Sequence, residues 1–294
     1  MDPRSIQGVF QTARLRLEEA GFEHPQLEVE ILLAHVLDLD TRQFLLLDRS
    51  VPLVPLAANR FEGLLVRRLA REPLQYIVGS AQFCEFDFRV GPGVLIPRPE
   101  TEVLVETVSR YITTDLGKTG RLVDVGTGSG VIAVSLLARY PGWIGMGLDL
   151  SRAALDYATT NAGSILGGQV GPGAINLPFL PVRSNLLSCV SRGLDLIVSN
   201  PPYIPSAEIE DLASEVRDRE PRLALDGGLE GLQYTRTLVG EASTVLRQGG
   251  LLALELALGQ PEAVRVEAEG LGFVHRETYR DLTGRERGLV LEKS

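Results

Sequence analysis

At 294 residues the chain is long for one domain and comfortable for two, and its 44% hydrophobic and 23% charged content suits a globular protein with a sizeable core. A formal net charge of −9 argues against a protein whose main business is gripping a nucleic-acid backbone. Two distant cysteines, Cys84 and Cys189, with no clustered histidines exclude a disulfide scaffold or a metal site as the organising principle; with no apolar signal core and no run near the ~20 residues that span a bilayer, the expected setting is the cytoplasm.

The first seventy or so residues read as short helices. "SIQGVFQTARLRLEEAG" places Ile6, Val9, Phe10, Ala13, Leu15 and Leu17 mostly on one face, with Gly21 suited to the C-terminal turn. "PQLEVEILLAHVLDLD" repeats the period behind Pro25, and "AANRFEGLLVRRLAREP" ends at Pro73, so residues 1–73 are expected to form a small helical bundle. From Leu74 to about Val94 the chain turns β-branched and aromatic between Gly79, Gly91 and Gly93, which predicts a hairpin connector over 74–95. Phe83, Phe86 and Phe88 are expected in its core. The rest, 96–294, is expected to be one α/β domain. "RPETEVLVETVSRYI" resumes a helical period, and after Gly120 strand and helix alternate. "RLVDV", "IGMGLDL", "LDLIVS" and "LLALEL" read as strands, "SGVIAVSLLARY" and "SRAALDYATTNA" as helices, the latter capped by Ser151. A closing pair of strands ends the chain, and the glycine-rich stretch from Leu166 to Gly173 reads as a flexible insertion before the third strand. Alternation of this kind predicts a mostly parallel sheet covered by helices on both faces.

"VDVGTGSGVIA" sets Gly126, Gly128 and Gly130 between a strand and a helix, at the carboxyl edge where open α/β sheets bind ligands. The GxGxG spacing alone is a weak signal. Asp149, about twenty residues on at the end of the next strand, sharpens it, because a carboxylate there can accept from both ribose hydroxyls. Glycine turn and acid together point to a nucleoside-containing ligand, with NAD and S-adenosylmethionine both open.

The fourth strand, "LDLIVS", stops at Asn200-Pro201-Pro202-Tyr203. By strand count it lies beside the first, where strand order reverses, so this rigid corner would face the cofactor. The Asn200 side-chain oxygen and the Pro201 carbonyl can each accept a hydrogen bond from a planar –NH₂ group, and Tyr203 can stack on its plane. An amide nitrogen is a poor nucleophile because its lone pair is conjugated. Fixed acceptors outside its plane favour the tetrahedral form that appears only as a new bond is made. No general base is evident, and the proton is expected to leave to water.

"DVGTGSG" followed by "SNPPYI" resembles the class I S-adenosylmethionine-dependent methyltransferases that modify planar amino groups. With "REPLQYIVG", "VLIPRPETEVLVE", "EPRLALDGGLEGLQYT", "GGLLALELALGQ" and "RDLTGRERGLVLE" the chain resembles, from about Arg71 to its end, the PrmC/HemK family of peptide-chain-release-factor glutamine methyltransferases. The resemblance implies a Rossmann-like sheet whose last strand is antiparallel, behind a helical substrate-binding domain. It implies S-adenosylmethionine held by Gly126, Thr127, Gly128, Ser129, Gly130, Asp149 and Asn200. Asn200, Pro201, Pro202 and Tyr203 would meet the glutamine of the Gly-Gly-Gln loop of class 1 release factors, the protein acting as a monomer without direct nucleic-acid or membrane contact. Two departures stand out. Where the family has an acidic residue near the adenine this chain reads "VRSNLLS", so Asn185 is the candidate for that contact, and Cys84-Glu85 replace the usual Tyr-Gly of the connector. Arg98 and Glu100 read equally as a charged hinge or a partner contact; Glu220 and Pro221 read as a loop able to fold over the substrate. An adenine-N6 DNA methyltransferase shares the tetrapeptide, but the chain has no basic target-recognition segment.

Overall fold

A computed structural model of the chain describes residues 2–167 and 178–294. It divides into two compact units, one comprising residues up to Gly79 together with Ser214–Arg219, the other Ser80–Ala213 and Glu220–Ser294.

The helical unit contains α1 (Ile6–Glu19), α2 (Pro25–Leu37), α3 (Thr41–Leu45), α4 (Pro55–Leu69) and α5 (Leu74–Val78). Ser5 caps α1 by accepting from the Gly8 amide, and proline opens α2 and α4, where its missing N–H costs no helical bond. Phe10, Ala13 and Leu17 of α1 pack with Leu32, Leu33, Phe61 and Leu65. Leu15, expected on that face, is exposed because it lies off the stripe set by Ile6, Phe10, Ala13 and Leu17. The segment Leu74–Val78, expected as the first arm of a hairpin, is a helical turn instead. Pro73 stands at its N-cap, Gly79 ends it at φ +79°, and Tyr76 and Ile77 bury their side chains: tertiary packing overrides a β-rich composition. The hairpin itself is shorter, β1 (Ser80–Phe83) paired antiparallel with β2 (Phe86–Arg89), and holds Phe83 and Phe88 in its core edge to face.

Arg68 anchors the detached segment of this unit. Buried at 4% exposure, it stacks on Phe22, pairs with Glu28, and meets Glu215 at 3.0 Å. The short helix α9 (Ser214–Arg217) is thereby tied to α2 and α4.

The second unit is built on a seven-stranded sheet. Its strands are β3 (Gly120–Val125), β4 (Trp143–Asp149), β5 (Phe179–Arg183), β6 (Leu194–Ser199), β7 (Leu246–Glu255), β8 (Phe273–Arg280) and β9 (Glu286–Lys293), in the order β5-β4-β3-β6-β7-β9-β8. β3 to β7 run parallel and β9 is antiparallel to both its neighbours, so the expected mostly parallel sheet with a closing antiparallel pair is what forms. Apolar side chains on the two faces make two cores under α6 (Pro99–Tyr111), α7 (Val131–Arg139), α8 (Arg152–Leu166), α10 (Gln233–Val245) and α11 (Pro261–Gly270). Beyond Gly167, the predicted glycine-rich insertion lies outside the described residues. Among the described residues no helix is long and apolar enough to cross a membrane.

The start of α7 has no side-chain cap of its own, since its N-cap is Gly130. Asp124, wholly buried in β3, does that work from below: Oδ2 accepts from the Ala133 amide at 3.2 Å and from the Thr127 hydroxyl at 2.7 Å. Burial raises its carboxyl to about 7.

Replacing Arg68 by Ala strands two carboxylates in a largely buried site, and denaturant unfolding of the helical unit is expected to lose about 3–5 kcal/mol. Because the folded Asp124 keeps its proton above its ordinary value of 3.8, the folded state binds more protons than the unfolded chain in that window, and Asp124 lowers stability as pH rises through it. Asp124→Asn keeps an acceptor and removes the titration, so the urea midpoint should drop less from about pH 5 to about pH 8 than in the parent chain.

Candidate active site

The register of the sheet brings the predicted residues to one line. Leu148 of β4 and Ser199 of β6 both pair with Val125 of β3, and Ser199 pairs on its other side with Leu254 of β7. The next residue of each strand is therefore Asp149, Gly126, Asn200 and Glu255, side by side along the carboxyl edge.

Around this edge lies a cavity whose walls include Gly126, Gly128, Asp149, Asn185, Asn200, Pro201 and Pro202. Thr127, Ser129, Gly130 and Tyr203 do not line it. Thr127 is buried with its hydroxyl on Asp124, the Ser129 carbonyl accepts from Asn161, and Gly130 lets α7 approach α8, since a Cβ there would sit 3.3 Å from Ala158. Gly126 and Gly128 are left-handed, at φ +71° and +56°, and a Cβ on either would meet nothing closer than 3.9 Å. Each therefore presents bare backbone to open space, as a turn that receives a ligand must.

Asp149 is half-buried. Its Oδ2 accepts from the Gly128 amide at 3.0 Å and Oδ1 from the Ser151 amide at 2.8 Å, which fixes the carboxylate against the glycine turn with lone pairs to spare. Burial raises its pKa against those donors. Ser151, as expected, caps α8 by accepting from Ala154. Asn185 stands exposed after β5, ahead of Leu186, whose φ is +47°. It reaches the same cavity as Asp149.

The corner after β6 is held from several sides. The Ser199 hydroxyl donates to the Val125 carbonyl at 2.6 Å, and Gln260 Nε2 donates to the Tyr203 carbonyl at 3.1 Å. Gly231 passes so close that a Cβ would lie 2.2 Å from the Tyr203 oxygen. Asn200 Nδ2 donates to the Thr101 hydroxyl in the first turn of α6, at 3.1 Å. Its Oδ1 is left to accept. Tyr203 is half-buried, and burial pushes its phenol upward.

Several features escape a reading of the sequence. Glu220, in the loop read as able to fold over the substrate, is buried, accepts from the Ile96 amide at 3.1 Å and pairs with Arg98. The pair ties the stretch before α6 to the segment carrying Pro221, Leu223 and Ala224, which lie along the same cavity as Gly93, Val94 and Leu95. Arg98 thus holds the stretch before α6 to that segment, and Glu100 faces Arg287 at 3.4 Å. Asp124 and Glu255 are the other surprises, acids that interrupt apolar strand runs. The departure at Cys84-Glu85 sits away from the cavity; Glu85 pairs with Arg139 at 2.6 Å, and burial raises the Cys84 thiol to about 12.

Two family models match the chain, the PrmC N-terminal domain over residues 9–79 and the methyltransferase small domain over 99–228. The α/β fold is shared with a methyltransferase from Pyrococcus furiosus, at a TM-score of 0.53 and 18% identity, covering 78% of this chain and 98% of that one. The release factor glutamine methyltransferase of Geobacter sulfurreducens is 41% identical over 285 residues, covering 96% of this chain and 95% of its own. That of Nitratidesulfovibrio vulgaris is 42% identical over 295 residues, covering 99% and 96%. With likeness of this extent running through both units, the chain belongs to the release factor glutamine methyltransferase family.

Proposed function

We propose that the protein transfers a methyl group from S-adenosylmethionine to the side-chain amide nitrogen of the glutamine in the Gly-Gly-Gln loop of class 1 release factors. The observation that carries this reading is the shared edge of Gly126, Asp149 and Asn200, a cofactor cradle beside a corner built to accept from a planar amide. The residues present fit the cofactor: two left-handed glycines open toward the cavity, a fixed carboxylate and a largely apolar wall. In this reading Gly126 and Gly128 offer backbone to the methionyl part, Asp149 accepts from the ribose hydroxyls, and Asn185 accepts from the adenine amino group in place of an acid. Thr127, Ser129 and Gly130 shape the turn from behind. When bound, the cofactor supplies a methyl on a positively charged sulfur.

The remaining work falls to the corner. Asn200 Oδ1 and the Pro201 carbonyl accept the two N–H bonds of the glutamine amide, and Pro201-Pro202 keep both acceptors from moving as the nitrogen becomes tetrahedral. Tyr203 packs against the amide plane, and the released proton passes to water. The helical unit is assigned to holding the release factor, consistent with its separate core. The protein is taken to work as a cytoplasmic monomer without direct nucleic-acid contact, in keeping with its acidic charge and free cysteines.

Mass spectrometry of a co-expressed release factor should find one added methyl on the Gly-Gly-Gln glutamine; methylation of duplex DNA alone would overturn the assignment. Asn200→Ala is expected to cut transfer by about 100-fold or more with little change in the unfolding midpoint. Asp149→Ala should weaken cofactor binding by roughly 10- to 100-fold in calorimetry, the value of a charge-assisted hydrogen-bond pair.

A further inference from the structure

Glu255 ends β7 beside Asn200, wholly buried at 1% exposure, and its Oε2 has no hydrogen-bond partner among the described residues. A buried carboxylate without a full set of donors is costly, and nothing in the fold itself requires one here. What surrounds it is informative. Thr101 and the Asn200 amide lie near enough to favour its ionised form, and Thr101 is itself buried at 3% exposure. Thr101 Oγ1 already accepts from Asn200 Nδ2.

These three groups have a direction. A hydroxyl serves either orientation of an amide, since it both donates and accepts. A carboxylate only accepts, so a Thr101 proton turned to it would leave Thr101 able only to accept from Asn200. With Glu255 ionised, one orientation of the Asn200 amide is satisfied: Nδ2 inward, Oδ1 toward the cavity.

We infer that Thr101 and Glu255 are positioning residues that lock the Asn200 amide with its oxygen facing the substrate nitrogen. The inference rests on the proposed glutamine-methyltransferase reading and adds to it a cause for the orientation that reading needs. A flipped Asn200 would present –NH₂ to the substrate –NH₂, two donors facing each other.

Protonation of Glu255 would release the lock, because a carboxylic acid can donate to Thr101 or to Asn200 Oδ1. Burial raises its carboxyl to about 7. The other charged or titratable groups facing it are Glu100 at the start of α6, Arg287 of β9, Tyr203 of the corner and Tyr279 of β8. Glu100 favours the protonated form and Arg287 the ionised one; neither tyrosine ionises near neutrality, since burial raises both.

The test uses the full-length protein with S-adenosylmethionine and a purified release factor. Thr101→Val should lower kcat about 10- to 100-fold while KM for the release factor and the calorimetric Kd of the cofactor stay within about threefold, the fold-change of a lost buried hydrogen bond. Thr101→Ser, which restores the hydroxyl, should recover kcat to within about threefold of the parent. kcat of the parent should rise with pH through neutrality, and Glu255→Gln should flatten that limb. A Thr101→Val variant with parental kcat, a Thr101→Ser variant no better than Thr101→Val, or an unchanged pH limb in Glu255→Gln would each overturn the inference. Side-chain amide NMR of protein labelled on asparagine nitrogen reports the lock without catalysis. The Asn200 –NH₂ pair, identified by its loss in Asn200→Ala, should exchange slowly in the parent and quickly in Thr101→Val. Equal exchange in both overturns the lock. If the parent fails to methylate the release factor, the functional reading falls and this amide signal alone decides the orientation. If Thr101→Val does not fold, the same comparison between the parent and Thr101→Ala decides it.

Discussion

One row of the sheet carries the site. Leu148, Val125, Ser199 and Leu254 are cross-strand partners in three consecutive parallel pairings, and each is followed by a residue with a task at the cavity or behind it. Side chains along each strand alternate between the two faces, so a slip of one residue in any pairing would exchange a strand's side chains between the two cores and mismatch the packing of both. The cores under the two helical layers therefore enforce the alignment of Asp149, Gly126, Asn200 and Glu255. No loop has to find these positions. They are set when the sheet forms, by hydrophobic burial remote from the chemistry.

These strands also carry two buried carboxylates that a purely apolar sheet would exclude. Asp124 and Glu255 each leave one oxygen unpartnered among the described residues, and each is raised to about 7 by burial. A buried polar network is costly, but it admits few arrangements, since every donor must point one way. Asp124 uses that to fasten the glycine turn and the start of α7; Glu255 stands where the same logic reaches the Asn200 amide. In both places stability is traded for a fixed direction of hydrogen bonding at a strand end.

Much of this was legible in the residues, and the parts that were not have physical reasons. The glycine turn, the acid at Asp149 and the Asn-Pro-Pro-Tyr corner declare themselves because each uses residue types with narrow conformational or chemical purposes. The closing strands and the Ser151 cap follow from period and capping rules. Leu74–Val78 reads as a strand because five residues are too few for a helical period to show, and Pro73 and Gly79 bound a strand as readily as a turn. Asp124 and Glu255 sit in runs that read as apolar strands, and spacing alone does not mark which acid in such a run stays buried. Thr127 and Ser129 belong to the motif by sequence but turn inward, a matter of side-chain direction that spacing does not encode. The anchoring of Glu220 joins positions more than a hundred residues apart and leaves no local trace.

The helical unit is not a contiguous stretch of chain, and that has a genetic consequence. Having turned the Asn-Pro-Pro-Tyr corner, the polypeptide leaves the α/β unit at Ala213, spends six residues in the helical unit and returns at Glu220. Those residues include Glu215, whose partner Arg68 is buried on α4, and Arg219, which donates to the Ala70 carbonyl at 3.1 Å. A recombination that exchanged residues 1–79 as a cassette would import helices without the complement to this segment. In this chain the helices and the segment form a matched set written in two distant stretches of the gene. One of those stretches begins eleven residues after Tyr203.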